Sequence, residues 1–184
     1  MEAIDQFFAW GDNHRNIIIK KFPHLTDKII SAGNSRIDIL KYRDNYKDAA
    51  LNLKNKYGDF ILFVTKFARY NLKKRGMGSW AEMAKKNNPQ MSDKNYQRIL
   101  KSELYEKENI FLMMEAIKKL SKEMPNQQFI IRPHPTEDVK TWIEFVNNLD
   151  NTNVKVVFEG DSANPWLIAA KKIISHNCTT SLES

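Results

Sequence analysis

The sequence predicts a doubly wound parallel α/β sheet, and two features carry that prediction. From Phe60 onward, short apolar runs alternate with amphipathic stretches in the order β-α-β-α-β-α-β. Right-handed crossovers close such a repeat into one sheet with helices on both faces. The run Phe60-Ile61-Leu62-Phe63-Val64 is apolar without a break, as suits a parallel strand covered on both sides.

Earlier in the chain, Phe7-Phe8-Ala9-Trp10 ends at Gly11 and reads as a strand, with a helix from His14 to Lys20 behind it. Lys28-Ile29-Ile30-Ser31 is a second strand, closed by Gly33-Asn34, residues that tolerate positive φ. A charged helix is expected from Leu40 to Lys56, stopped by Gly58. After the Phe60 strand, residues 66–102 are mostly polar, hold Gly76, Gly78 and Pro89, and read as an excursion with short helices. Ile110, Met113, Met114, Ile117 and Leu120 recur at helical spacing, one apolar face of a helix whose Met pair fills core. A strand at Phe129-Ile130-Ile131, a helix from Thr136 to Leu149, a strand from Val154 to Phe158, a helix from Pro165 to Ala170 and a strand at Lys172-Ile173-Ile174 follow. The last residues, Thr179-Thr180-Ser181-Leu182-Glu183-Ser184, have the pattern of a helix start, a hydroxyl cap with an acid three residues on. The expected chain is therefore a fragment, incomplete at both ends of its fold. Residues 1–57 would end one domain and cross over, and residues 58–184 would begin a second.

Composition narrows the class. With 184 residues, ten Phe and 42% hydrophobic side chains, the chain can bury a core, which excludes wholesale disorder. Its apolar runs fall far short of the roughly twenty residues that span a bilayer. The start, MEAIDQFFAWGDNHR, carries acids where a secretory signal would be basic, so a cytoplasmic protein is expected. The single cysteine, Cys178, excludes an internal disulfide and an all-thiolate zinc site. The net charge of +7 is uneven: residues 1–100 carry 19 basic and 10 acidic side chains, residues 101–184 carry 10 and 12. Lys66, Arg69, Lys73, Lys74 and Arg75 form the densest basic run. Such asymmetry fits an anionic partner, a phosphorylated metabolite or an acidic membrane face. Without a zinc finger, an RNP motif or basic heptads, nucleic acid is not expected.

Ligands of doubly wound sheets sit outside the carboxyl ends of the strands, and three exits here carry phosphate chemistry. Phe129-Ile131 leads into Arg132-Pro133-His134-Pro135-Thr136-Glu137. Arg132 offers a guanidinium fork, and His134 can donate to phosphate or act as acid or base near neutrality. The flanking prolines restrict the backbone that carries the imidazole. Lys172-Ile174 leads into Ser175-His176-Asn177-Cys178-Thr179-Thr180, hydroxyls and backbone N–H groups at a helix start suited to an anion. Glu183 could accept from ribose hydroxyls, and Thr65-Lys66 at the end of the Phe60 strand would be a third phosphate contact. His176 beside Cys178 lacks further ligands at zinc spacing, so no metal is expected. Gly-x-Gly-x-x-Gly, Walker and Gly-x-Ser-x-Gly motifs are absent from the sequence, which disfavours dinucleotide redox, P-loop and serine-hydrolase chemistry.

These residues occur in a familiar order. Phe7-Phe8-Ala9-Trp10-Gly11, Lys28 to Asp38, Arg132-Pro133-His134-Pro135, Pro165-Trp166, and His176-Asn177-Cys178-Thr179-Thr180 with Glu183 together resemble the surface carbohydrate biosynthesis proteins of bacteria. Those look like glycosyltransferases of the GT-B type, distantly similar to capsule Kdo transferases and CDP-glycerol glycerophosphotransferases. The resemblance covers nearly the whole chain but only the middle of the family's length. Ser35 stands where the family's turn carries proline, and Thr65-Lys66 where it has an Asn-containing exit. What it implies is the C-terminal, Rossmann-like half of such an enzyme, truncated. It also implies transfer from a nucleotide-activated sugar to a glycan or lipid-linked acceptor, with no cofactor, on the inner membrane face or in the cytoplasm. His134 would be catalytic, and Arg132, His134, Thr179, Thr180, Glu183 and Lys66 would hold the nucleotide phosphates and ribose. A nucleotide-sugar epimerase of the same architecture, or a non-catalytic basic remnant, are the alternatives.

Overall fold

The computed structural model describes residues 4–34, 38–158 and 162–176. The chain divides into two compact units, Met1–Asn45 and Tyr46–Leu182.

In the first unit, β1 (Phe7–Ala9) and β2 (Ile29–Ser31) pair in parallel with Phe7 opposite Ile29. Helix α1 (Asp12–Lys21) connects them, with Asp12 in its first turn and Lys20 and Lys21 in its last, each charge opposing the nearer pole of the helix dipole. Pro23 opens a 3-10 turn, Pro23–Lys28, ahead of β2. The core here is small: Ala9, Leu25 and Ile29, with Phe7, Ile18, Ile19 and Phe22 around them.

The single helix expected over 40–56 is two pieces. A 3-10 run, Ile39–Tyr46, breaks at Tyr42 (φ −101°, ψ 39°), and α2 (Lys47–Tyr57) follows. The intervening Arg43-Asp44-Asn45 carries two side chains that compete for backbone hydrogen bonds and so favour turns over helix. Gly58, at φ 68°, ends α2, its N–H closing on the Lys54 carbonyl at 2.8 Å.

The second unit is built on four parallel strands: β3 (Phe60–Val64), β6 (Gln128–Arg132), β7 (Val154–Val156) and β8 (Lys172–Ser175), in the order β7-β6-β3-β8. Between β3 and β6 lie a short hairpin, β4 (Asn71–Leu72) with β5 (Gly76–Met77), then α3 (Trp80–Asn87) and α4 (Asp93–Glu123). Helix α5 (Val139–Asn147) links β6 to β7, and α6 (Asn164–Ala169) links β7 to β8. All five residues of β3 are buried, and their alternation feeds two cores. Ile61 and Phe63 join Ile110, Met114 and Ile117 of α4 and Trp142 of α5. Phe60, Leu62 and Val64 join Ala50 of α2 and Trp166, Leu167 and Ala169 of α6. The fold is thus α/β, a four-stranded parallel sheet flanked by helices, with β3 buried on both of its faces. Because α2 packs on α6 and lends Ala50 to this core, the division falls before α2, whereas the expected boundary fell behind it at 57/58.

The excursion expected over 66–102 is shorter than it looked, because α4 starts at Asp93 and runs 31 residues. Tyr96, Ile99 and Leu100 are half-buried, and Glu103 and Glu106 occupy the buried stripe that Ile110, Met114 and Ile117 continue. Two acids at core positions interrupt the apolar period, so the pattern surfaces only from Ile110. Helix α5 likewise begins at Val139 and not at Thr136, with Asp138 accepting from the Lys140 N–H at 3.1 Å.

Candidate functional site

Strands β6 and β7 lie to one side of β3 and β8 to the other, so the chain reverses direction between β3 and β8. The crevice outside the carboxyl ends of those two strands is the topological switch point, where open α/β sheets bind ligands. Both β6 and β8 pair with β3, which sets their exits two strand spacings apart, about 10 Å.

At the end of β6, opposite Val64, Arg132 is only 8% exposed. Its Nη2 donates to the Ser162 carbonyl at 3.3 Å, tying this exit to the segment before α6, and burial pulls the pKa of the guanidinium down. The next residues form a tight turn: the Glu137 N–H donates to the His134 carbonyl at 2.8 Å, and the His134 N–H donates to Glu137 Oε1 at 3.0 Å. The imidazole faces Thr136, with Nδ1 2.7 Å from Oγ1 and 3.3 Å from the backbone nitrogen. A backbone N–H only donates, so Nδ1 is the acceptor and the neutral ring carries its proton on Nε2.

Glu137 is the residue that sequence reasoning passed over. It is 3% exposed and accepts from Thr65 Oγ1 at 2.7 Å, Trp142 Nε1 at 3.0 Å and the His134 N–H. One carboxylate thus joins the exit of β3, the first turn of α5 and the His134 turn. Burial pushes its pKa up, while donors from Thr65, Trp142, His134 and Phe67 pull against that rise. In sequence it reads as an ordinary acid near a helix start, and only the distant Thr65 and buried Trp142 reveal it.

The exit of β3 separates its two predicted contacts. Thr65 is fully buried with its hydroxyl committed to Glu137, whereas Lys66 is exposed. Across the switch point, His176 follows β8 and stacks on Phe67 (centroids 5.0 Å apart, 17° between planes), with Tyr105 of α4 at 5.7 Å. Its Nδ1 is buried with no hydrogen-bond partner among the described residues, and burial pulls its pKa down. Thr179, Thr180 and Glu183 lie outside the described residues, as do Cys178 and Ser35.

The β4–β5 hairpin stands against the His134 turn. Leu72 bridges Glu137, the Lys73 N–H donates to the Thr136 carbonyl at 2.9 Å, and the Asp138 N–H donates to the Asn71 carbonyl at 3.1 Å. Asn71, fully buried, bolts this join: Nδ2 donates to the Asp138 carbonyl at 3.0 Å and Oδ1 accepts from Thr141 Oγ1 at 2.8 Å. Glu103 and Glu106, also buried, accept from the backbone N–H groups of Ala81 and Arg69 and hold the excursion to α4. The buried acids around this rim are therefore structural, and what it offers a ligand is the half-buried imidazole of His134 with the exposed Lys66, Lys73, Lys74 and Arg75. Such a rim is equipped to hold an anion.

No protein-family model matches the chain, and no curated protein or solved structure matches it.

Proposed function

We propose that the chain is the nucleotide-sugar-binding portion of a glycosyltransferase of bacterial surface polysaccharide synthesis. The observation that carries this proposal is the oriented imidazole of His134, its Nδ1 engaged by Thr136 and its proton thereby on Nε2, one strand away from the switch point of the sheet. In glycosyl transfer the bond from the anomeric carbon to the leaving phosphate breaks as the acceptor hydroxyl attacks, and negative charge gathers on that phosphate. A fixed N–H donor stabilises the developing charge more than it stabilises the bound donor, and losing one such group lowers the rate by roughly 10²–10³-fold. Lys66, at the exit of β3, adds a cation. The family resemblance adds the Thr179 and Thr180 hydroxyls for the phosphates and Glu183 for the ribose. Arg132 supports the loop from within, through the Ser162 carbonyl.

Calorimetric titration with CMP, CDP, UDP and GDP tests this proposal. One of the four should bind, and His134→Ala should abolish that heat while leaving thermal stability within a few degrees of wild type. Silence with all four nucleotides overturns it, and unchanged affinity in His134→Ala removes His134 from the site.

A further inference from the structure

The tip of the β4–β5 hairpin combines two features that local folding disfavours. Lys73, Lys74 and Arg75 are consecutive and exposed. Among the described residues their side chains enter no ion pair or hydrogen bond, although Arg69 nearby pairs with Glu106. Of the acids that the base of the hairpin meets, Glu137 is buried under its three donors and Asp138 caps α5. Lys74 also has φ 66°, the positive-φ residue among those described that is not glycine. The Arg75 N–H closes on the Leu72 carbonyl at 2.9 Å, which makes Lys74 the third residue of a turn that would favour glycine or asparagine there. A charged side chain held in a disfavoured backbone conformation, next to two like charges, marks a position retained for something other than stability.

The base of the hairpin is rigid where the tip is strained. Asn71, Leu72 and Lys73 are bonded to Asp138, Glu137 and Thr136, so the three cations are carried beside His134 on fixed backbone. We propose that this hairpin is an anion-binding finger in which Lys73, Lys74 and Arg75 take a phosphate-bearing ligand alongside the His134 turn. Arg75 supplies a planar fork of donors and the lysines point charges, a mixture suited to a multivalent phosphate group. That group has two possible sources, a soluble phosphorylated metabolite or the headgroup of an anionic phospholipid. The finger stands on hairpin geometry and charge alone, and it holds whether or not a nucleotide sugar is the donor.

The test uses the full chain and two variants, Lys74→Gly and the double variant Lys73→Gln with Arg75→Gln. Inorganic pyrophosphate is titrated by calorimetry, and phosphatidylcholine vesicles with and without phosphatidylglycerol are sedimented with the protein. Single-stranded RNA serves as the competing polyanion. Lys74→Gly relieves the positive φ, so its Tm should equal or exceed that of wild type while its binding weakens. That separates loss of the site from loss of the fold. Wild type should bind one phosphate probe, more weakly as salt rises. Vesicle affinity should fall about fivefold per cation removed, and a headgroup source is assigned if only vesicles respond, a soluble one if only pyrophosphate does. Binding unchanged in both variants overturns the finger, as does binding to RNA alone or to neither probe. Pyrophosphate binding lost in His134→Ala but intact in the hairpin variants overturns the finger and leaves the donor proposal standing.

Discussion

Glu137 shows how one side chain can organise a rim it never faces. Its carboxylate is 3% exposed and meets donors from a strand end, an indole and a turn. Glu137→Ala leaves those donors buried and unsatisfied at about 1–3 kcal/mol each, so a loss of about 3 kcal/mol or more is expected in urea denaturation. A loss below about 1 kcal/mol would mean that water replaces the carboxylate. The raised pKa also has a sign. A folded state that binds the proton more tightly than the unfolded chain is favoured most below the ordinary value of 4.5, and this contribution declines as pH rises through the raised value. Tm measured from pH 5 upward should therefore carry a downward component that Glu137→Gln removes. An identical slope in the variant would assign the component to Glu106, which burial also raises. At this scale the sequence exposes the strand-exit residues Arg132, His134 and Lys66, because the end of an apolar run is a local signal. It hides Glu137, whose meaning comes from Thr65, 72 positions away.

Among elements, α4 has a stripe that alternates chemistry along its length. Toward its C-terminus Ile110, Met114 and Ile117 pack under the sheet; toward its N-terminus Glu103 and Glu106 catch the N–H groups of Ala81 and Arg69. Glu103→Ala should cost about 1–3 kcal/mol, the penalty of an orphaned buried N–H. Hydrogen exchange should accelerate over α3 more than over β3. Uniform acceleration across both would mean that the carboxylate supports the whole unit and not the excursion. A purely conformational effect belongs to the end of α2. Gly58 sits at φ 68° and ψ −156°, backbone that essentially only glycine adopts, with open space where a Cβ would go, so Gly58→Ala should cost the conformational term alone, about 1–3 kcal/mol. The early start of α4 was illegible for the reason that makes the element informative, since acids at core positions erase the apolar period.

At the scale of the molecule, the two units differ in what they bury. The described core of the first holds three buried apolar residues, whereas β3 of the second is enclosed by two separate clusters. A two-stranded pair over so little apolar surface is marginal on its own. Amides of β1 and β2 should therefore exchange orders of magnitude faster than those of β3 and β6, and calorimetric unfolding should depart from a single two-state transition. Equal protection in both units would refute that division of stability. Among the described residues no helix is long and apolar enough to cross a membrane. The sequence by itself determined the parallel α/β class, the strands β3, β6 and β8 with their polar exits, and the existence of a basic run. Each of these is written in a period or cluster only a few residues wide. Only the tertiary structure decided the strand order that makes β3 and β8 a switch point, the join of the basic hairpin to His134, and the burial of Glu103, Glu106 and Glu137. Those depend on pairings between residues far apart in the chain, settled by which backbone N–H groups and hydroxyls must find an acceptor once the sheet has closed.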